Sequence, residues 1–144
     1  MIHSGLFQYL AADATVSAIV LKRIYGVMLP KNYALPAIVY SSVGSTPVES
    51  LGGDNPLRIQ RWQFDCYAED YFTTQSLKEA VRSLLAPKSD GSGATATVNY
   101  ELPDGTQILA AQVHLDHDEA FQPGAGGFIF RALLDIQFSF VPSS

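Results

Sequence analysis

The chain has one cysteine, Cys66, which rules out an internal disulfide and any four-cysteine zinc framework. Cations are also scarce. Lys and Arg total nine against fourteen Asp and Glu, a formal net charge of −5. Binding to nucleic-acid phosphates or to an anionic membrane needs a basic surface that releases counterions, and this composition does not supply one. Long apolar runs are missing. The opening MIHSGLFQYLAADATVSAIVLKR is broken by Asp13, and its first cations, Lys22 and Arg23, come after the apolar stretch instead of before it. That order argues against a secretory signal, and no run reaches the length of a membrane span. The composition therefore reads as a soluble protein of a reducing cytoplasm, with no membrane partner.

Catalytic signatures are lacking as well. Gly124-Ala125-Gly126-Gly127 precedes a strand, whereas a phosphate cradle needs glycines that open a helix. There is no P-loop lysine, no dinucleotide fingerprint and no G-x-S-x-G elbow. Cys66 falls in register with Trp62, Phe64 and Ala68. That makes it a small core residue sooner than a nucleophile. Arg58, Arg61 and Trp62 are a weak nucleic-acid signal on an acidic chain, with Trp62 in the core register.

What is present is a core. Apolar residues make up 47% of the 144 positions, enough for one domain over residues 1–144 without metals or disulfides. Ser4 is expected to cap a first short helix carrying Leu6, Phe7 and Leu10. Asp13 is expected to cap a second, with Val16, Ile19 and Val20 on one face. Ala37 to Tyr40 is β-rich after Pro36. From Arg58 the pattern alternates, with Trp62, Phe64, Cys66 and Ala68 inward and Gln63, Asp65, Tyr67 and Glu69 outward and solvated. The intervening stretch, residues 44–56, is long and rich in turn formers; it reads as a loop, or as two strands extended into an arm.

Asp70 or Thr73 starts the best-defined helix. Leu77, Ala80, Val81, Leu84 and Leu85 form its apolar stripe, and Pro87 ends it. Lys88 to Ala96 reads as a connector. Val98 to Leu102, the turn at Pro103-Asp104-Gly105, and Gln107 to Leu115 read as a hairpin. The last strand puts Phe128, Phe130, Ala132, Leu134, Ile136, Phe138 and Phe140 on one face. The other face, Ile129 to Val141, is mixed and is expected to be partly covered by helices or by another subunit. The fold class is α+β: a mostly antiparallel, mixed sheet with helices on one face.

One stretch, His114-Leu115-Asp116-His117-Asp118-Glu119, invites a metal. His114-Leu115-Asp116 matches two ligands of a 2-His-1-carboxylate iron site, but no histidine follows His117 to complete it. Strict alternation puts His114 and Asp116 on an outer face and lets neighbouring ligands diverge. A zinc site drawing on His3 would be arbitrary. The reading is a solvated strand end and turn, with no metal, no cofactor and no catalytic residue.

The order of short segments carries a resemblance. Gly5-Leu6-Phe7, Leu10 to Val16, Arg23-Ile24-Tyr25-Gly26, Leu29-Pro30, Leu35 to Tyr40, Gln63 to Ala68 and the Leu77 to Leu85 helix together resemble the tail completion proteins of long-tailed phages. Gene transfer agents carry similar proteins. The resemblance covers residues 5 to 86 and, more loosely, the last strand. It implies a tail terminator, a small domain that forms a hexameric ring on the tail tube. Such a ring stops tube growth and offers a docking surface to the head connector. It implies a homo-oligomer with tube and connector partners in the virion, assembled in the host cytoplasm. DNA would pass through without specific binding, and the acidic balance suits such a channel.

No catalytic motif comes with that family. Candidate contact residues are Glu49, Asp54, Gln122, Pro123, Arg131 and Asp135, taken from the long loops and the mixed face of the last strand. The nearest rival is another head–tail joining protein of the neck. More distant rivals are a metal protein built on His114, Asp116 and His117, and an adaptor that binds a peptide along a strand edge.

Overall fold

Asp13 ends one helix and begins the next. Its backbone N–H donates to Leu10 O at 3.3 Å, and its carboxylate accepts from Val16 N at 2.9 Å. Asp prefers this position because its side chain satisfies a backbone donor that the helix start leaves unpaired. The helices are α1 (Ile2–Ala12) and α2 (Ala14–Val20). Ser4 lies inside α1 and does not cap it, because the apolar Ile2, buried with Leu6 and Leu10, draws the helix start back toward the N-terminus. The computed structural model describes residues 2–47, 57–87, 95–122 and 127–142.

A three-residue strand that the sequence did not reveal, β1 (Ile24–Gly26), pairs parallel with β2 (Ala37–Pro47). β2 pairs antiparallel with β3 (Arg58–Ala68), in a register that runs out to Pro47 opposite Arg58. β2 thus runs through residues 44–47 of the 44–56 stretch; residues 48–56 lie outside the described residues. After Asp70, whose carboxylate accepts from Thr73 N and Thr73 Oγ1 at 2.9 Å each, comes α3 (Tyr71–Leu85). Leu77, Val81 and Leu85 are fully buried, and Pro87 follows the last turn.

The chain then makes β4 (Thr95–Glu101), β5 (Gln107–Phe121) and β6 (Ile129–Val141). β4 begins at Thr95, earlier than the expected Val98. β5 runs six residues beyond the expected Leu115, through the whole of His114 to Glu119.

The sheet order is β1-β2-β3-β6-β5-β4, curled as a half-barrel. Trp62, Phe64, Cys66 and Ala68 of β3 and Ala132 to Phe140 of β6 bury their inward side chains against α1, α2 and α3. Phe64 and Phe138 meet edge to face at 6.3 Å. This apolar burial is the main driving force of the fold. Aromatic contacts seat α1 across the sheet. Phe7 reaches Tyr40, and Tyr9 stacks on Tyr100 at 5.1 Å. The Tyr100 hydroxyl donates to Leu85 O at 2.8 Å, tying β4 to the end of α3.

Two bulges in β5 reset its alternation. The pairing with β6 shifts between Ile108 and Ala110 and again between Val113 and Leu115, leaving Leu109 and His114 as the extra residues. Each extra residue exchanges the two faces of the strand beyond it. Ile108, Ala111 and Val113 therefore face the helices, whereas Leu109 and Leu115 are exposed.

Candidate functional site

The second bulge decides the chemistry of His114 to Glu119. Beyond it, Asp116 and Asp118 turn to the helix face, while His117 and Glu119 turn to the opposite one. This corrects the expectation that His114 and Asp116 share an outer face. Lys78 Nζ of α3 lies 2.8 Å from Asp116 Oδ1 and 3.4 Å from Asp118 Oδ1. Arg82 lies 3.5 Å from Asp116, and the Tyr71 hydroxyl donates to Asp118 at 3.1 Å. The two aspartates hold α3 on the sheet.

Burial alone would lower the Lys78 pKa, but Asp116 and Asp118 outweigh it and hold the ammonium above its usual range. Burial likewise pushes Asp118 up, and Gln75, Lys78 and Tyr71 reverse that and bring it below the usual carboxylate range. On the other face, His117 lies 3.5 Å from Glu119. Among the described residues, no three His, Cys, Asp or Glu side chains come together as a metal-holding group.

The face opposite the helices is polar and interlocked. Arg131 lies 3.5 Å from Asp65 and 3.6 Å from Glu119, and Gln63 donates to Asp65 at 3.0 Å. Asp65 is buried, not solvated as its place in the alternation suggested. Burial raises its pKa, and Arg131 and Gln63 counter part of that rise. Arg61 of β3 grips Asp135 of β6 with Nε and Nη2. Val39, Ile129 and Leu133 are buried on this same face by their neighbours in the curled sheet. Sequence alternation marks the face as mixed; it cannot show that these pairs close on one another.

Of the candidate contact residues, Gln122, Arg131 and Asp135 lie among the described residues. Glu49, Asp54 and Pro123 lie outside the described residues. Gln122 is exposed just past β5. Arg131 and Asp135 sit in the polar network, and Asp135 is only 4% exposed. Arg61, which holds Asp135, keeps its side chain 42% exposed.

Elsewhere large apolar side chains are exposed. Phe72 is 81% exposed and Val27 is 73% exposed, with Met28, Leu115 and Phe128 also exposed. A hollow of about 650 Å³ lies among Tyr33, Ala34, Leu35, Glu69, Phe128 and Ile129 at one end of the sheet. Cys66 is buried among apolar side chains, and that burial pushes its thiol pKa up, away from nucleophile chemistry. Among the described residues, no helix is long and apolar enough to cross a membrane.

Ion pairs fasten the secondary structure, the outer sheet face is polar around buried Asp65 and Asp135, and apolar residues are exposed at scattered points. The model of the family described as tail completion protein gp17 matches residues 4–117, and the chain belongs to that family. Its place is the virion, in the tail region, and its role is tail completion or head–tail joining. A chain from a solved structure titled "Virion of native gene transfer agent (GTA) particle" has the same fold. It is 13% identical, with a TM-score of 0.72 over 98% of this chain and 95% of that one. No curated protein matches.

Proposed function

We propose that this protein is the tail terminator. It closes the end of the tail tube as a ring of like subunits, hexameric in number, stops tube polymerisation and presents a docking surface to the head connector. The family match across residues 4–117 carries this reading. The fold supports it through exposed apolar side chains such as Val27, Phe72 and Phe128, which a lone subunit leaves in water. Glu49, Asp54, Gln122, Pro123, Arg131 and Asp135 are proposed contact positions. The net charge of −5 suits a channel through which DNA slides without sticking. The subunit assembles in the host cytoplasm, and no catalysis is assigned to it.

The test is electron microscopy of a lysate from a parent phage lacking this gene. Overlong, headless tails are the expected result. Tails of normal length beside filled heads would move the protein to the neck as a joining component. Intact infectious particles would contradict a structural role altogether.

A further inference from the structure

Among the described residues, the sheet has two open edges at the same height. β4 covers β5 only from Gln107 to Gln112, so among the described residues no strand lies outside Val113–Phe121. At the far end of the sheet, β1 is likewise the outermost strand. The registers connect the two edges rung by rung. Tyr25 pairs with Val39, Val39 with Asp65, Asp65 with Leu133 and Leu133 with His117. The neighbouring rungs run from Ile24 to Asp118 and from Gly26 to Asp116.

The edges also differ in charge. Residues 21–36, which contain β1, carry Lys22, Arg23 and Lys31 and no acid. Along the open half of β5, Asp116, Asp118 and Glu119 are each already paired with Lys78, Arg82 or Arg131 of the same subunit. Each edge carries exposed apolar side chains beside its charges: Val27 and Met28 next to β1, Leu115 and Phe121 on β5.

Val27 adds an independent sign. It is β-branched yet holds φ at 71°, and its side chain gains no burial in return. Strain of this kind is found at functional sites, and here Val27 N–H donates to Tyr40 O at 2.9 Å.

We propose that β1 of one copy docks along Val113–Phe121 of the next, carrying the sheet from subunit to subunit. The two strands run in opposite directions in the fold. Copies related by rotation about an axis along the strands would therefore pair them antiparallel, as every pair of this sheet except β1 with β2 already does. The contact is heterologous, since one edge meets the other, and such a contact makes a ring when its rotation closes. Open edges invite strand pairing, and the cations beside β1 disfavour its pairing with a second β1. The inference rests on the terminator reading and names the surface by which that ring forms.

The test is cysteine cross-linking on assembled tails. The variant Tyr25→Cys with His117→Cys is incorporated, oxidised, and run on a non-reducing gel beside each single variant. Cys66 is buried and stays in place. A ladder of multimers from the double variant, and none from either single variant, is the expected result. Dimers from a single variant would mean a two-fold contact and overturn the proposal. Protein present on tube ends without any ladder would also overturn it, while leaving the terminator reading intact. Protein absent from tails altogether would remove both. If the first pair fails to fold, Lys22→Cys with Ala120→Cys, exposed at both positions, replaces it with the same readout.

Discussion

Lys78 Nζ, on α3, sits 2.8 Å from the Asp116 carboxylate and 3.4 Å from that of Asp118, on β5. The lysine is only 6% exposed, so its charge has left water and relies on those two carboxylates. The stretch of sequence that most resembled a metal site is thus a clamp between a helix and a strand. Lys78→Met should lower stability by about 1–2 kcal/mol. Breaking a buried pair typically costs about 3–5 kcal/mol, and the carboxylates' partial exposure reduces that. Urea unfolding of Lys78→Met, Asp116→Asn and the double variant checks this, with the double expected to cost clearly less than the sum of the singles.

The same clamp should respond to acid. Asp118 is held below the ordinary carboxylate range, so the stability it supplies is present above the unfolded value of about 3.9 and is lost as pH falls through its lower folded value. Asp65 has the opposite sign. Its folded value is raised, so its contribution is present below the unfolded value and fades as pH rises through the folded one. Urea midpoints measured from pH 6 down to about pH 2 should fall less steeply for Asp118→Asn than for the parent, and more steeply for Asp65→Asn.

Gly5 is a glycine because Asp104 occupies the place of a Cβ. An ideal Cβ at Gly5 would lie 2.5 Å from Asp104 Oδ1 and 2.7 Å from its Cγ. Asp104 cannot easily withdraw, since its Oδ1 accepts from Thr106 N at 3.0 Å. In an open helix Gly→Ala would gain about 1 kcal/mol; here the overlap should reverse the sign and make the change destabilising by about 1 kcal/mol. The cost of Gly5→Ala should shrink in an Asp104→Ala background, as thermal unfolding of the four proteins would show.

Asp13 caps α2 through Val16 N. Asp13→Ala should cost about 1 kcal/mol, and Asp13→Asn much less because asparagine keeps the acceptor. Chemical denaturation of the two variants separates the cap from the charge.

Cys66 should be silent toward a thiol reagent in the native protein and should react only as the chain unfolds. Labelling that follows the urea transition fits this. Rapid stoichiometric labelling in buffer would mean that the β3 face is open.

Much of the fold was readable where one periodicity held without interruption. Trp62 to Ala68, the Leu77 to Leu85 stripe and the alternation of β6 each reported a buried face directly. Asp13 and Asp70 announced their helices because a cap is a local interaction. The reading failed at His114, where one extra residue exchanges the faces of everything after it; a bulge leaves no mark in residue type. Asp65 was misread as solvated because its partner Arg131 is distant in sequence. β1 was missed because a three-residue strand takes its identity from its neighbour β2. The contact positions were the least legible, since an interface is a property of two subunits.

The most direct measurement of the central claim mixes purified protein with its tail tube protein and follows tube length by electron microscopy. If this chain is the terminator, tubes stop growing at a length that shortens as more of it is added, and each stopped end carries a ring-shaped density. Tubes that keep growing with bare ends at every ratio would contradict the account.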